Sequence, residues 1–109
     1  MNITELTVHE LKEKIQKKEL SSAEITKAFA ERVKEKEESL NAFLTVLTDD
    51  AIKQAEEMDK KIDKGEITSE LAGIPIGIKD NICTKGIRTT CGSKMLENFI
   101  SPYDATVME

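Results

Sequence analysis

The chain has no tryptophan, one tyrosine, one histidine and two cysteines among its 109 residues. Aromatics make up 4% of it, which removes the stacking platforms on which single-strand nucleic-acid binders rely. A basic excess is also missing. The net charge is −5 and the pI near 5.0, opposite in sign to the face a general nucleic-acid binder presents. No apolar run approaches the roughly 20 residues a membrane span needs. The opening MNITELTVHE has neither the basic flank nor the apolar core of a secretory signal. Cys83 and Cys91 are too far apart for a C-x2-C metal pair, and His9 is the sole imidazole. No metal site is expected, and the two cysteines read as reduced thiols of a cytoplasmic protein.

What is present suits amphipathic helices: 39% of the residues are hydrophobic and 34% charged. The length allows one small domain. Composition shifts near residue 70. Residues 1–70 hold 12 of the 16 basic and 17 of the 21 acidic residues, whereas residues 71–109 hold both prolines and four of the five glycines. With no repeat, low-complexity tract or flexible linker, residues 1–109 read as one continuous unit. Its 1–70 part is charged and helical with one strand, and its 71–109 part is a lysine-bearing strand followed by loops.

Thr7-x-x-Glu10 is a capping box, and Val8, Leu11 and Ile15 follow it at helical spacing. Ser21-x-x-Glu24 opens a second helix, whose Ile25, Ala28, Phe29 and Val33 share a face. The short apolar run from Asn41 to Leu47 predicts a strand. Thr48 is expected to cap a third helix, with Asp49 and Asp50 in its positive first turn and a stripe of Ala51, Ala55, Met58 and Ile62. Gly65 is its natural stop. A second strand is expected to present Ile74, Ile76 and Ile78 on one face and Pro75, Gly77 and Lys79 on the other. The predicted order is helix, helix, strand, helix, strand, then loops: an α/β fold with a mixed sheet flanked by helices. Such a sheet wants more strands than these. The closing DATVME reads as a cap and first turn of a further helix, so the sequence is expected to be the front end of something larger.

Lys79 ends the run GIPIGIK, beside the bare Gly77, at the carboxyl end of the expected strand. Open α/β sheets place their sites there, and a missing side chain leaves room for a ligand to approach the ammonium. The plain alternative is a solvated charge, or a partner for Asp80. A phosphate loop does not fit: three residues rather than four separate Gly73 from Gly77, Ile78 intervenes, and Asp80 would repel phosphate.

The stretch LAGIPIGIKDNICTKGIRTTCGS, residues 71–93, closely resembles the lysine region of the amidase signature family. The capped helical start and the closing SPYDATVME resemble the branch of that family that supplies ammonia for amidating Glu charged on tRNA(Gln). That resemblance implies that Lys79 is the lysine of a Ser–Ser–Lys triad, with Asp80 and Asn81 forming a turn that fixes it. A serine hydroxyl needs a base within hydrogen-bond reach, and a lysine serves only if burial lowers its pKa toward roughly 7–8. In the family the lysine draws a proton through a bridging serine from the nucleophilic serine, which attacks an amide carbonyl. Both family serines lie in a Gly/Ser-rich region that this sequence does not contain. Ser93 and Ser101 lack that context and read as turn residues.

The resemblance further implies glutamine as substrate, with B and C subunits as partners in a heterotrimer. One partner would use ATP and magnesium and hold the tRNA; this chain itself would need no cofactor and no membrane. Two alternatives stand beside it: a free-standing amidase of small amides, and a non-catalytic folding or interaction fragment.

Overall fold

The computed structural model describes residues 2–67 and 69–109. Its regular elements are three α-helices, α1 (Val8–Gln16), α2 (Ser22–Leu40) and α3 (Thr48–Asp63), with short 3-10 turns at Ile3–Glu5, Lys94–Leu96 and Thr106–Met108. The chain divides into two compact units. The described residues of Met1–Ala42 and Val46–Ile76 form the first, and Phe43–Thr45 with Gly77–Glu109 form the second.

The helices of the first unit begin where the capping boxes put them. The Glu10 backbone N–H donates to Thr7 Oγ at 3.2 Å, while the Thr7 N–H donates to the Glu10 carboxylate at 2.7 Å. Ser21 and Glu24 repeat the exchange at 3.1 and 2.8 Å. Two otherwise orphaned donors are satisfied at each helix start. At the end of α1 the Lys18 N–H reaches the Ile15 carbonyl and the Glu19 N–H the Lys14 carbonyl. This closure requires a left-handed residue, and Lys18 supplies it at φ 58°. Gly65, at φ 70°, closes α3 in the same way. Thr48 is not a cap: Leu47 occupies that position without a side-chain bond, and Thr48 is the first helical residue.

Leu11, Ile15 and Ile25 form the buried centre of this unit, with Ile3, Leu6, Leu20, Phe29, Ile62 and Ile74 packed around them. Burying each of the three aliphatic side chains is worth about 1.5–3 kcal/mol, so this is a small core. A polar clamp supplements it. Asp59 of α3 accepts from the Ser22 and Ala23 backbone N–H groups at 2.7 and 2.9 Å, serving the free donors at the start of α2. Ser22 Oγ donates to the Gly73 carbonyl at 2.8 Å. Only glycine suits position 73, because φ is 85° and an added Cβ would lie 3.0 Å from Ser22 Cβ.

The expected mixed α/β sheet is overturned. Among the described residues there is no strand, and neither 41–47 nor 74–79 forms one. A strand exists only when a neighbour takes up its N–H and C=O groups, which alternation of side chains cannot guarantee. The isoleucine face is likewise not buried: Ile74 packs on the core of the first unit, but Ile76 is 72% exposed and Ile78 44%.

The second unit is held by loop hydrogen bonds. Gly86 N–H donates to the Ser101 carbonyl, Ser101 N–H to Ile87, and Thr89 N–H to Phe99, around an isolated antiparallel bridge between Arg88 and Ile100. The Arg88 guanidinium donates to the carbonyls of Leu44 and Glu97 and to Thr45 Oγ. Its buried side chains are Thr89, Thr90 and Ser101, all polar and all hydrogen-bonded.

Candidate active site

Lys79 opens a tight turn in the second unit. The Ile82 N–H donates to the Lys79 carbonyl at 3.0 Å, which puts Asp80 and Asn81 at the two central positions. The Lys79 side chain is exposed, as is Asn81. No ion pair forms between Lys79 and the adjacent Asp80, whose carboxylate is engaged elsewhere.

Asp80 is bound to Thr90 by both oxygens. One accepts the Thr90 backbone N–H at 2.9 Å and the other accepts the Thr90 hydroxyl. The Asp80 carbonyl accepts the Cys91 N–H at 3.0 Å, and Thr90 Oγ accepts the Gly92 N–H at 3.2 Å. These bonds join the IKDN segment to the TTCG segment. Sharp reversals at Cys91 (φ 52°) and Gly92 (φ 68°) let the second segment fold back on the carboxylate. The Thr90 hydroxyl and then the Thr90 N–H hold the Asp80 carboxyl below its ordinary value of 3.8, with smaller help from the Gly92 N–H and the Arg88 charge.

Ser93 and Ser101 do structural work at their positions. Ser93 Oγ accepts from the Met95 N–H at 3.2 Å and caps a 3-10 turn. Ser101 is buried and donates to the Tyr103 carbonyl at 2.6 Å. Asp104, read from sequence as a helix cap, instead accepts the Lys85 N–H at 2.7 Å. Cys83 and Cys91 are free thiols. The Cys83 Sγ lies 3.9 Å from the Tyr103 hydroxyl, and that contact raises the phenol above its ordinary value of 10.0. No group of three or more His, Cys, Asp or Glu among the described residues is arranged to hold a metal ion. A shallow cleft of about 300 Å³ in the first unit, lined by Lys27, Lys34, Asp49 and Ile52 among others, includes none of the predicted site residues.

The sequence reading named Lys79, Asp80 and Asn81 and assigned no role to Thr90 or Arg88. Thr90 lies in the TTCGS segment, whose distinctiveness was visible; its partner ten residues earlier was not.

The sequence profile of the Amidase family matches residues 24–109. The whole chain aligns with glutamyl-tRNA(Gln) amidotransferase A subunits of several bacteria. It is 53% identical to that of Thermoanaerobacter pseudethanolicus, where the match covers 22% of the relative. It is 52% identical to that of Clostridium botulinum strain Okra, again over 22% of the relative. Of two such proteins in Clostridium acetobutylicum, the one numbered 2 is 50% identical, with 23% of its length covered. The chain thus spans about a fifth of the length of the curated relatives it matches.

Proposed function

The chain belongs to the amidase family, and we propose that it is part of the glutaminase subunit of a glutamyl-tRNA(Gln) amidotransferase. The observation that carries this reading is identity of about half, over all 109 residues, to several proteins of that name. In the complete protein, Lys79 serves as the base of a Ser–Ser–Lys triad. Its neutral amine takes a proton relayed from the nucleophilic serine, which attacks the side-chain amide carbonyl of glutamine. Ammonia leaves, an acyl-enzyme remains, and water releases glutamate. A neutral amine at physiological pH requires desolvation, which disfavours the ammonium. Lys79 is exposed among the described residues, so the remainder of an amidase domain would supply that burial.

The partners in this reading are the B and C subunits of a heterotrimer. The partner that holds the tRNA uses ATP and magnesium to activate the glutamate that the ammonia then amidates. The acidic net charge of −5 agrees with tRNA being bound chiefly outside this chain. The role in this reading is a cytoplasmic one in protein synthesis. No helix among the described residues is long and apolar enough to cross a membrane. By itself the 109-residue chain is inactive, because it carries the base without the serines.

The test is ammonia release from glutamine by a complete subunit containing this sequence. Lys79→Ala should reduce kcat/KM by roughly 10²–10⁴-fold while the subunit still folds and binds its partners. Unchanged activity in a folded Lys79→Ala subunit would reject the assignment, and glutaminase activity from the 109-residue chain alone would reject the triad.

A further inference from the structure

A lysine intended as a base has a hazard beside it: the next residue is an aspartate. A carboxylate within about 4–6 Å of an amine favours the ammonium and so opposes proton abstraction. At the centre of a turn, a free Asp80 side chain could swing toward Lys79. It does not: each of its two oxygens is held by the same residue on the facing segment. Both carboxylate oxygens are taken by Thr90, through the backbone N–H and the hydroxyl, and the Asp80 carbonyl holds the next N–H, that of Cys91. Thr90 is itself fixed: it is 3% exposed, and its hydroxyl also accepts the Gly92 N–H.

We propose that Thr90 is a positioning residue for Lys79, sequestering the Asp80 carboxylate so that the neighbouring amine is left without a counter-ion. The proposal rests on the reading of Lys79 as a base and adds a residue to it. Thr90 touches no substrate in this scheme; it acts only through Asp80. The other ionisable groups near the clamp are Arg88, whose charge acts on Asp80, and Cys91 beside Thr90. Neither supplies the two-point grip. The depression of the Asp80 carboxyl, owed first to the Thr90 hydroxyl, agrees with a carboxylate held ionised without help from Lys79.

The experiment uses the 109-residue chain and needs no catalysis. Lysines are acylated with trace acetic anhydride at pH 8, and the rate at Lys79 is read by peptide mass spectrometry against Lys85 and Lys94. Thr90→Val should slow Lys79 roughly three- to ten-fold relative to those two, as expected when an amine gains a carboxylate partner. Thr90→Ser should keep the native rate, and Asp80→Asn added to Thr90→Val should restore it. An unchanged Lys79 rate in Thr90→Val overturns the proposal, as does a slowing that survives Asp80→Asn. If Thr90→Val loses the loop structure, seen as lost exchange protection of the Thr89 amide, Lys79→Met decides. The Asp80 carboxyl titration, followed by NMR, should then be unmoved; a rise of about one unit would reveal a Lys79–Asp80 pair and overturn the proposal. These readouts are independent of glutaminase activity, so their failure is distinguishable from failure of the Lys79 assignment itself.

Discussion

Lys18 shows how a single residue can carry strain that its neighbours impose. It ends α1 in the left-handed conformation, at φ 58°, because the Ile15 and Lys14 carbonyls need the two N–H groups that this reversal brings round. A side chain in that region costs about 1–2 kcal/mol, partly offset because glycine loses more entropy on folding. Lys18→Gly should therefore stabilise the first unit by about 0.5–1 kcal/mol in urea titration followed by helical circular dichroism. A loss of stability would mean that the Lys18 side chain contributes more than the φ angle costs. Asp80 is the opposite case, a residue in an ordinary conformation whose two carboxylate oxygens and carbonyl each have a partner. Its identity was legible as part of a turn, but its grip on Thr90 was not, since nothing local brings residues 80 and 90 together. Gly73 was noted in an apolar run and as a glycine of a phosphate loop that did not fit; the approach of Ser22 that requires glycine there spans 51 positions of chain.

At the scale of elements, helices were readable and strands were not. Thr7 acts with Glu10 and Ser21 with Glu24, each pair within four residues, so their patterns carry their own partners. Glu10 and Glu24 both sit below their ordinary value of 4.5, owing first to the backbone N–H of Thr7 and Ser21 and then to the hydroxyls. The sign follows directly. A carboxyl whose folded pKa is depressed contributes stability above its unfolded value of 4.5 and loses it as pH falls through the lower folded value. The melting temperature of the helices should thus be level from pH 7 to about 5 and decline below that. Glu10→Gln combined with Glu24→Gln should flatten the decline; an equally steep fall in the double variant would assign the acid sensitivity elsewhere. The runs 41–47 and 74–79 have apolar patterns of the kind strands carry, yet Leu47 ends as a helix cap and Lys79 opens a turn. Their backbone groups lack a neighbouring strand, and alternation does not substitute for one.

Across the molecule, the two units differ in what holds them. The first has a small apolar centre and a carboxylate clamp; the second buries only threonine and serine, while Met95 is 96% exposed, Ile100 54% and Val107 75%. Hydrogen bonds alone give modest net stability, so the second unit should open more readily. Hydrogen exchange of the isolated chain should show amides of Ile87, Thr89 and Ser101 exchanging at least roughly tenfold faster than those in the middle of α2, with hydrophobic dye binding or self-association. Equal protection across both units, in a monomer that melts in one sharp transition, would show that the second unit is stable without further cover. The amino-acid sequence by itself determined the three helices, the capping boxes of the first two, the acidic charge and the lysine-bearing segment that marks the family, because each depends on residues close together or on a contiguous pattern. Only the tertiary structure decided that no sheet forms among the described residues, that Asp59 caps α2, and that Asp80 turns to Thr90 instead of Lys79. Those outcomes depend on which distant group reaches each donor or acceptor first, and spacing along a chain does not encode that.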